Sequence, residues 1–79
     1  ANVVLGAEAK VGDFVQIRAS STINTGVVIE DDVFVGSGVI IVSGVTIGKG
    51  ARVGAGSVVI GPVKAGETVF GNPAAKDNP

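Results

Sequence analysis

The sequence predicts an all-β solenoid of parallel strands, and three observations predict it. An aliphatic residue recurs every six positions, a second small or β-branched residue keeps the same interval four positions later, and glycine follows both. The aliphatic series is Leu5, Val11, Ile17, Ile23, Ile29, Val35, Ile41, Ile47, Val53 and Val59, without a gap. Its companion runs Ala9, Val15, Ser21, Val27, Val33, Val39, Val45, Ala51, Ser57 and Val63. Glycine falls one residue after the aliphatic position (Gly6, Gly12, Gly36, Gly48, Gly54) or three after it (Gly26, Gly38, Gly44, Gly50, Gly56).

Each period reads as a short strand and a corner. In chain order, residues 33–36 (VFVG) turn at Ser37 and Gly38, residues 39–42 (VIIV) at Ser43 and Gly44, and residues 51–54 (ARVG) at Ala55 and Gly56. Strand alternation sends Val39 and Ile41 to one face and Ile40 and Val42 to the other. Glycine stands where a tight corner demands positive φ or a missing Cβ. A period of six matches no helical face, and β-branched residues and glycine oppose a helix. Sides of about four extended residues cannot pair within their own turn, so each pairs with the coil above or below in a parallel ladder.

Composition narrows the chemistry. The 79 residues make one domain at most, small enough to need partner subunits in place of the disulfides that an absence of cysteine forbids. With neither cysteine nor histidine, soft-metal sites and thiol- or imidazole-based catalysis are excluded. Six basic and seven acidic residues give a formal charge of −1 with no run of like charge, which argues against nucleic acid and anionic membrane as partners. No apolar run approaches the roughly 20 residues of a spanning helix, and no signal peptide is visible.

The pattern of aliphatic, small, two variable, small, variable resembles the hexapeptide-repeat acyltransferases. That resemblance implies a left-handed parallel β-helix of triangular cross-section, with three hexapeptides per coil and a threefold trimer. The hand comes from the resemblance alone, since the general rule favours right-handed crossovers. Residues 18 apart then stack in core columns: Leu5, Ile23, Ile41, Val59; Val11, Ile29, Ile47; and Ile17, Val35, Val53. Residues 1–66 make about 3.5 coils, and residues 67–79, with Pro73 and Pro79, form a tail expected to cap one end. The segment 51–76 (ARVGAGSVVIGPVKAGETVFGNPAAK) is similar to the closing coil and tail of sugar acetyltransferases, and 27–38 (VVIEDDVFVGSG) to an internal coil of nucleotide-sugar N-acetyltransferases.

The chain departs from that family where catalysis is concerned. The histidine that many members use as general base is absent. In the nucleotide-sugar branch Asn and Glu near a long loop replace it, but here residues 40–45 (IIVSGV) continue the repeat without a loop. Where that branch has a Tyr-Glu-Gly run this chain reads Asn24, Thr25, Gly26, so no catalytic residue carries over. A start inside the repeat without a methionine leads to the expectation of a trimmed or engineered solenoid, cytoplasmic if natural and otherwise a recombinant soluble protein.

Four polar constellations remain. Asp13, Asp31 and Lys49 share a corner column with Asp32 beside it, which could offer carboxylates to a hard cation but reads better as a solvated corner with an Asp31–Lys49 surface pair. Glu30 points outward beside them, with no second catalytic group. Gln16, Phe34 and Arg52 form an outward column in which a guanidinium lies one coil, about 4.8 Å, from an aromatic ring. Gly48, Lys49 and Gly50 mimic a phosphate loop but lack its strand-to-helix context.

One outward face is apolar. Val4, Ile40, Val42, Val58 and Ile60 share the side that holds Leu5, Ile23, Ile41 and Val59, whereas the other two sides show Lys10, Glu30, Thr46, Lys64, Gln16, Arg18 and Arg52. A contiguous patch of this kind marks an interface, here that of a homotrimer. The functional expectation is a structural scaffold with no catalytic or metal site and no cofactor. The alternative is an acyl-CoA-dependent sugar acetyltransferase, or its C-terminal fragment, in which acetyl-CoA lies along coil edges and Lys64 or Lys76 meets phosphate. A growing fibre is a third reading, because open coil ends expose unpaired strand edges.

Overall fold

A computed structural model describes residues 3–71 and 73–76. The first coil carries β1 (Val4–Leu5), β2 (Lys10–Val11) and β3 (Gln16–Ile17), and the second β4 (Thr22–Ile23), β5 (Val28–Ile29) and β6 (Phe34–Val35). The third carries β7 (Ile40–Ile41), β8 (Thr46–Ile47) and β9 (Arg52–Val53). β10 (Val58–Val59), β11 (Thr68–Gly71) and β12 (Ala74–Lys76) complete the chain. Three sheets result, ordered β1-β4-β7-β10, β2-β5-β8 and β12-β11-β9-β6-β3. Within the coils the register is the 18-residue stack, as in Leu5 opposite Ile23 and Ile23 opposite Ile41, and every coil-to-coil pairing is parallel.

Strands β1 to β10 are two residues long because each side alternates once and then turns. The second strand residue points inward: Ile23, Ile29, Val35, Ile41, Ile47, Val53 and Val59 are all buried, joined by Val27, Val33, Val39, Val45 and Ala51 from the companion series. Two companion positions are serine, and both are buried with their hydroxyls used. Ser21 Oγ donates to the Gly36 carbonyl at 2.7 Å and accepts from the Val39 N–H at 3.2 Å, while Ser57 Oγ accepts from the Gly71 N–H at 3.1 Å. These bonds remove the cost of burying a hydroxyl in an aliphatic stack.

The two glycine series serve different ends. Every sixth residue from Glu8 to Gly56 has positive φ, and glycine occupies this corner at 26, 38, 44, 50 and 56. Glu8, Phe14, Ser20 and Asp32 occupy it elsewhere, at φ of 60–65°, where a side chain costs of the order of 1 kcal/mol. The other series solves a problem of distance. A Cβ on Gly36 would lie 2.6 Å from the backbone nitrogen of Ala55, so only glycine lets the corner of the next coil approach.

The last coil departs from the 18-residue stack. Ile60, Gly61 and Pro62 shorten the second side, so Val63 pairs with Ile47 at a spacing of 16 and, though counted in the companion series, takes the inward place of the aliphatic series. Val69 then pairs with Val53, again 16 residues on. Thr68–Gly71 therefore extends the ladder beyond residue 66, and the chain reverses to set Ala74–Lys76 antiparallel against it. Pro79 and the Lys76 side chain lie outside the described residues.

The two ends of the stack differ. Val59, Val63 and Val69 at the top are buried, but Leu5 and Val11 at the bottom are 55% and 41% exposed and Ile17 is half-buried. The expectation that Leu5, Val11 and Ile17 are core residues thus holds for their inward phase and fails for their burial, because no described coil lies beneath them.

Candidate functional site

A groove of about 320 Å³ opens on the sheet of β3, β6 and β9, lined by Phe14, Gln16, Asp32, Val33, Phe34 and Arg52. Its wall follows from the ladder: Gln16 pairs with Phe34 and Phe34 with Arg52, so the three outward side chains rise in one column. Its lip is a corner, where Phe14 and Asp32 stand one coil apart, both in the left-handed conformation. The Asp32 N–H donates to the Asp13 carbonyl at 2.9 Å, which ties the two corners together. Val33, at the same edge, is buried and turns its side chain into the core.

The guanidinium on the Phe34 ring comes from Arg18, 5.6 Å from the ring centroid, and not from Arg52 as the column suggested. Arg18 lies two residues beyond Gln16, the direct partner of Phe34, and a long side chain reaches such a diagonal neighbour across a ladder. Arg52 is left exposed at the groove mouth. Phe14 is the least expected member: 85% exposed and in a strained backbone conformation, it gains neither burial nor relaxed geometry where it stands. The groove offers an aromatic surface, a carboxylate and a guanidinium, the equipment for binding a molecule with an apolar or planar part and an anionic part.

The other polar candidates have local partners. Asp31 Oδ1 accepts from the Asp13 N–H at 2.8 Å, and Glu30 Oε1 accepts from the Lys49 N–H at 3.1 Å. Gly12 leaves the first of these bonds its room, since a Cβ there would collide with the Asp31 carboxylate. Both carboxylates thus cap corners of adjacent coils. Among the described residues no three carboxylates gather around a cation position. Of the apolar face, Val4, Ile40 and Ile60 are exposed and Val42 and Val58 half-buried, with Thr22 between Val4 and Ile40. The sequence reading missed Phe14 and Asp32 as a pair. Their signal was a non-glycine residue at the corner phase.

Comparison with known proteins agrees with this geometry. A sequence profile described as "Bacterial transferase hexapeptide (six repeats)" matches residues 26–61. PerB from Caulobacter crescentus, solved in complex with CoA and GDP-perosamine, is 27% identical with a TM-score of 0.81 over 99% of this chain and 46% of its own. WeeI from Acinetobacter baumannii AYE is 27% identical with a TM-score of 0.69, over 95% of this chain and 52% of its own. Serine acetyltransferase from Neisseria gonorrhoeae is 26% identical with a TM-score of 0.62, over 96% and 38%. The chain therefore spans about half the length of these structures or less. No curated protein sequence gives a significant match. No helix among the described residues is long and apolar enough to cross a membrane. The six-residue register, the three-sided stack and these likenesses agree that the chain carries bacterial transferase hexapeptide repeats over residues 26–61 and folds as a parallel β-solenoid of the left-handed β-helix kind.

Proposed function

We propose that this chain is the coil platform of an acyl-CoA-dependent acetyltransferase acting on a sugar amine or hydroxyl. The observation that carries the reading is the likeness over 99% of the chain, at a TM-score of 0.81, to a structure holding CoA and GDP-perosamine. The platform binds the acyl donor along its coil edges, with Lys64 at the phosphates and the Phe14–Phe34–Arg52 groove as a recognition wall. It works as a homotrimer joined through Val4, Ile40, Val42, Val58 and Ile60, with donor clefts between subunits and residues 67–79 capping the upper end.

Catalysis is a separate matter. No imidazole or thiol is present, and the carboxylates of Glu30 and Asp31 each hold a backbone N–H of a neighbouring coil, so the platform supplies scaffold and donor binding without the general base. The test couples assembly to binding. Ile40→Lys with Val58→Lys sets like charges about 4.8 Å apart on the apolar face. The double variant should sediment as a monomer and lose acetyl-CoA binding by equilibrium dialysis. Retained binding by a folded monomer would refute the placement of donor clefts between subunits.

A further inference from the structure

We infer that the groove on the sheet of β3, β6 and β9 is a nucleotide site: the Phe34 ring takes the face of an aminopurine base, the Asp32 carboxylate accepts from the amino group of that base, and the Arg52 guanidinium meets the phosphates. These three residues belong to the second and third coils, and each has a described coil both below and above it. Phe34 is the centre, with Arg52 its ladder partner one coil up and Asp32 two residues back along the chain. Carboxylate and guanidinium therefore spring from backbone positions within about 7 Å of Phe34. The groove volume of about 320 Å³ lies at the lower end of the range for small-molecule sites, which begins at roughly 300 Å³.

Two observations set Asp32 apart. The left-handed corners of the second and third coils are residues 26, 32, 38, 44, 50 and 56, and all but Asp32 are glycine. A side chain is thus kept, against backbone preference, where its neighbours dispense with one. Its carboxylate is also uncommitted. Glu30, Asp31 and Glu67 each accept from a backbone N–H, whereas among the described residues the side chains of Asp32 and Arg52 have no hydrogen-bond or ion-pair partner. Above Asp32 the corner is Gly50, where a Cβ would meet nothing within 4 Å, so the space over the carboxylate is open. Arg18, which steadies the Phe34 ring, does not line the groove.

The three groups together select the ligand. An ionised carboxylate only accepts hydrogen bonds and repels a molecule that is merely anionic. A guanidinium matches phosphate oxygens, and an aromatic ring stacks on a base. A molecule that satisfies all three has a flat face, an N–H donor on its edge and an anionic group beyond, which describes an aminopurine nucleotide. The nucleotide end of an acyl-CoA has this chemistry, and so has that of a purine-activated sugar. The first source rests on the donor platform proposed above; the binding chemistry does not.

Equilibrium dialysis of the full chain against adenosine, guanosine and inosine diphosphates and inorganic pyrophosphate tests the assignment. Adenosine or guanosine diphosphate should bind about tenfold tighter than inosine diphosphate, which has the same ring system, sugar and phosphates without the amino group. Asp32→Gly gives this corner the residue that its neighbours carry; it should erase that difference and leave pyrophosphate binding undiminished. A groove that merely attracts anions does otherwise, since loss of the carboxylate then tightens all four ligands. Phe34→Leu should weaken the nucleotides about tenfold and spare pyrophosphate, while Arg52→Gln should weaken both. Tighter binding of adenosine diphosphate identifies the acyl donor as the source and tighter binding of guanosine diphosphate the activated sugar, and either supports the site. Nucleotides held no more tightly than pyrophosphate, or a preference over inosine diphosphate that survives Asp32→Gly, would overturn it. If adenosine diphosphate obeys these rules while acetyl-CoA fails to bind, the donor reading falls and the nucleotide site stands.

Discussion

Truncating Ile41 and Ile40 separately tests the inward phase of the repeat, because these adjacent residues of one strand face opposite ways. Ile41 is wholly buried between Ile23 and Val59, whereas Ile40 is 44% exposed. Ile41→Ala removes three carbons from the core, about 2.4 kcal/mol at roughly 0.8 kcal/mol each. Coils held at a fixed ladder spacing cannot collapse onto the void, so a cavity penalty raises the cost to about 4 kcal/mol. A chain of this length has of the order of 4–12 kcal/mol of stability in all, so the variant should unfold at a temperature at least 15 °C lower, if it folds at all. Ile40→Ala gives up about half the burial and opens no cavity, for about 1 kcal/mol. Thermal and urea unfolding followed by circular dichroism measures both, at two protein concentrations so that any contribution of Ile40 to assembly shows as concentration dependence. Equal losses at every concentration would refute the register.

Three further substitutions probe the devices that let coils stack. Gly36→Ala forces a Cβ against the Ala55 backbone; a loss of about 2 kcal/mol or more is expected, whereas Gly38→Ala, with open space around it, should lose only the roughly 1 kcal/mol of its positive φ. Similar losses in urea melts would show that the coils are not so closely approached. Ser21→Ala strands the buried Val39 N–H, for about 1–3 kcal/mol, and a melt within error of the parent would mean that another acceptor replaces the hydroxyl.

A final substitution tests catalysis. Glu30→His supplies an imidazole but neither an acceptor pocket nor an oriented thioester, and positioning alone accounts for several kcal/mol of such barriers. No acetyl transfer above background is expected in an assay of free thiol release. Turnover by the unsubstituted chain would overturn the account of the platform as non-catalytic.

Periodicity made the interior legible because burial in a solenoid is decided by phase, and phase is written in the side chains. Ile23, Ile41 and Val59 could be placed from their spacing alone. Leu5 carries the same phase and yet is exposed, since burial also needs a coil beneath, which no pattern within the first period can report. Val63 changed role for a related reason: the register was carried forward by count, but Gly61 and Pro62 shorten that side by two residues. The groove was half visible. Gln16, Phe34 and Arg52 follow from the ladder, whereas the choice of Arg18 over Arg52 at the Phe34 ring depends on side-chain reach. Phe14 and Asp32 were concealed by the expectation that corners belong to glycine, and the exceptions to that expectation mark the lip of the site.

The claim that this stack is a platform for an acyl donor is tested most directly by calorimetric titration of acetyl-CoA into the assembled protein. Saturable heat with micromolar affinity is predicted, weakened by Phe34→Ala and by Arg52→Ala, which alter the groove wall and leave the inward columns intact. Absence of heat, together with an unshifted melting temperature at saturating acetyl-CoA, would contradict the claim and leave a scaffold alone.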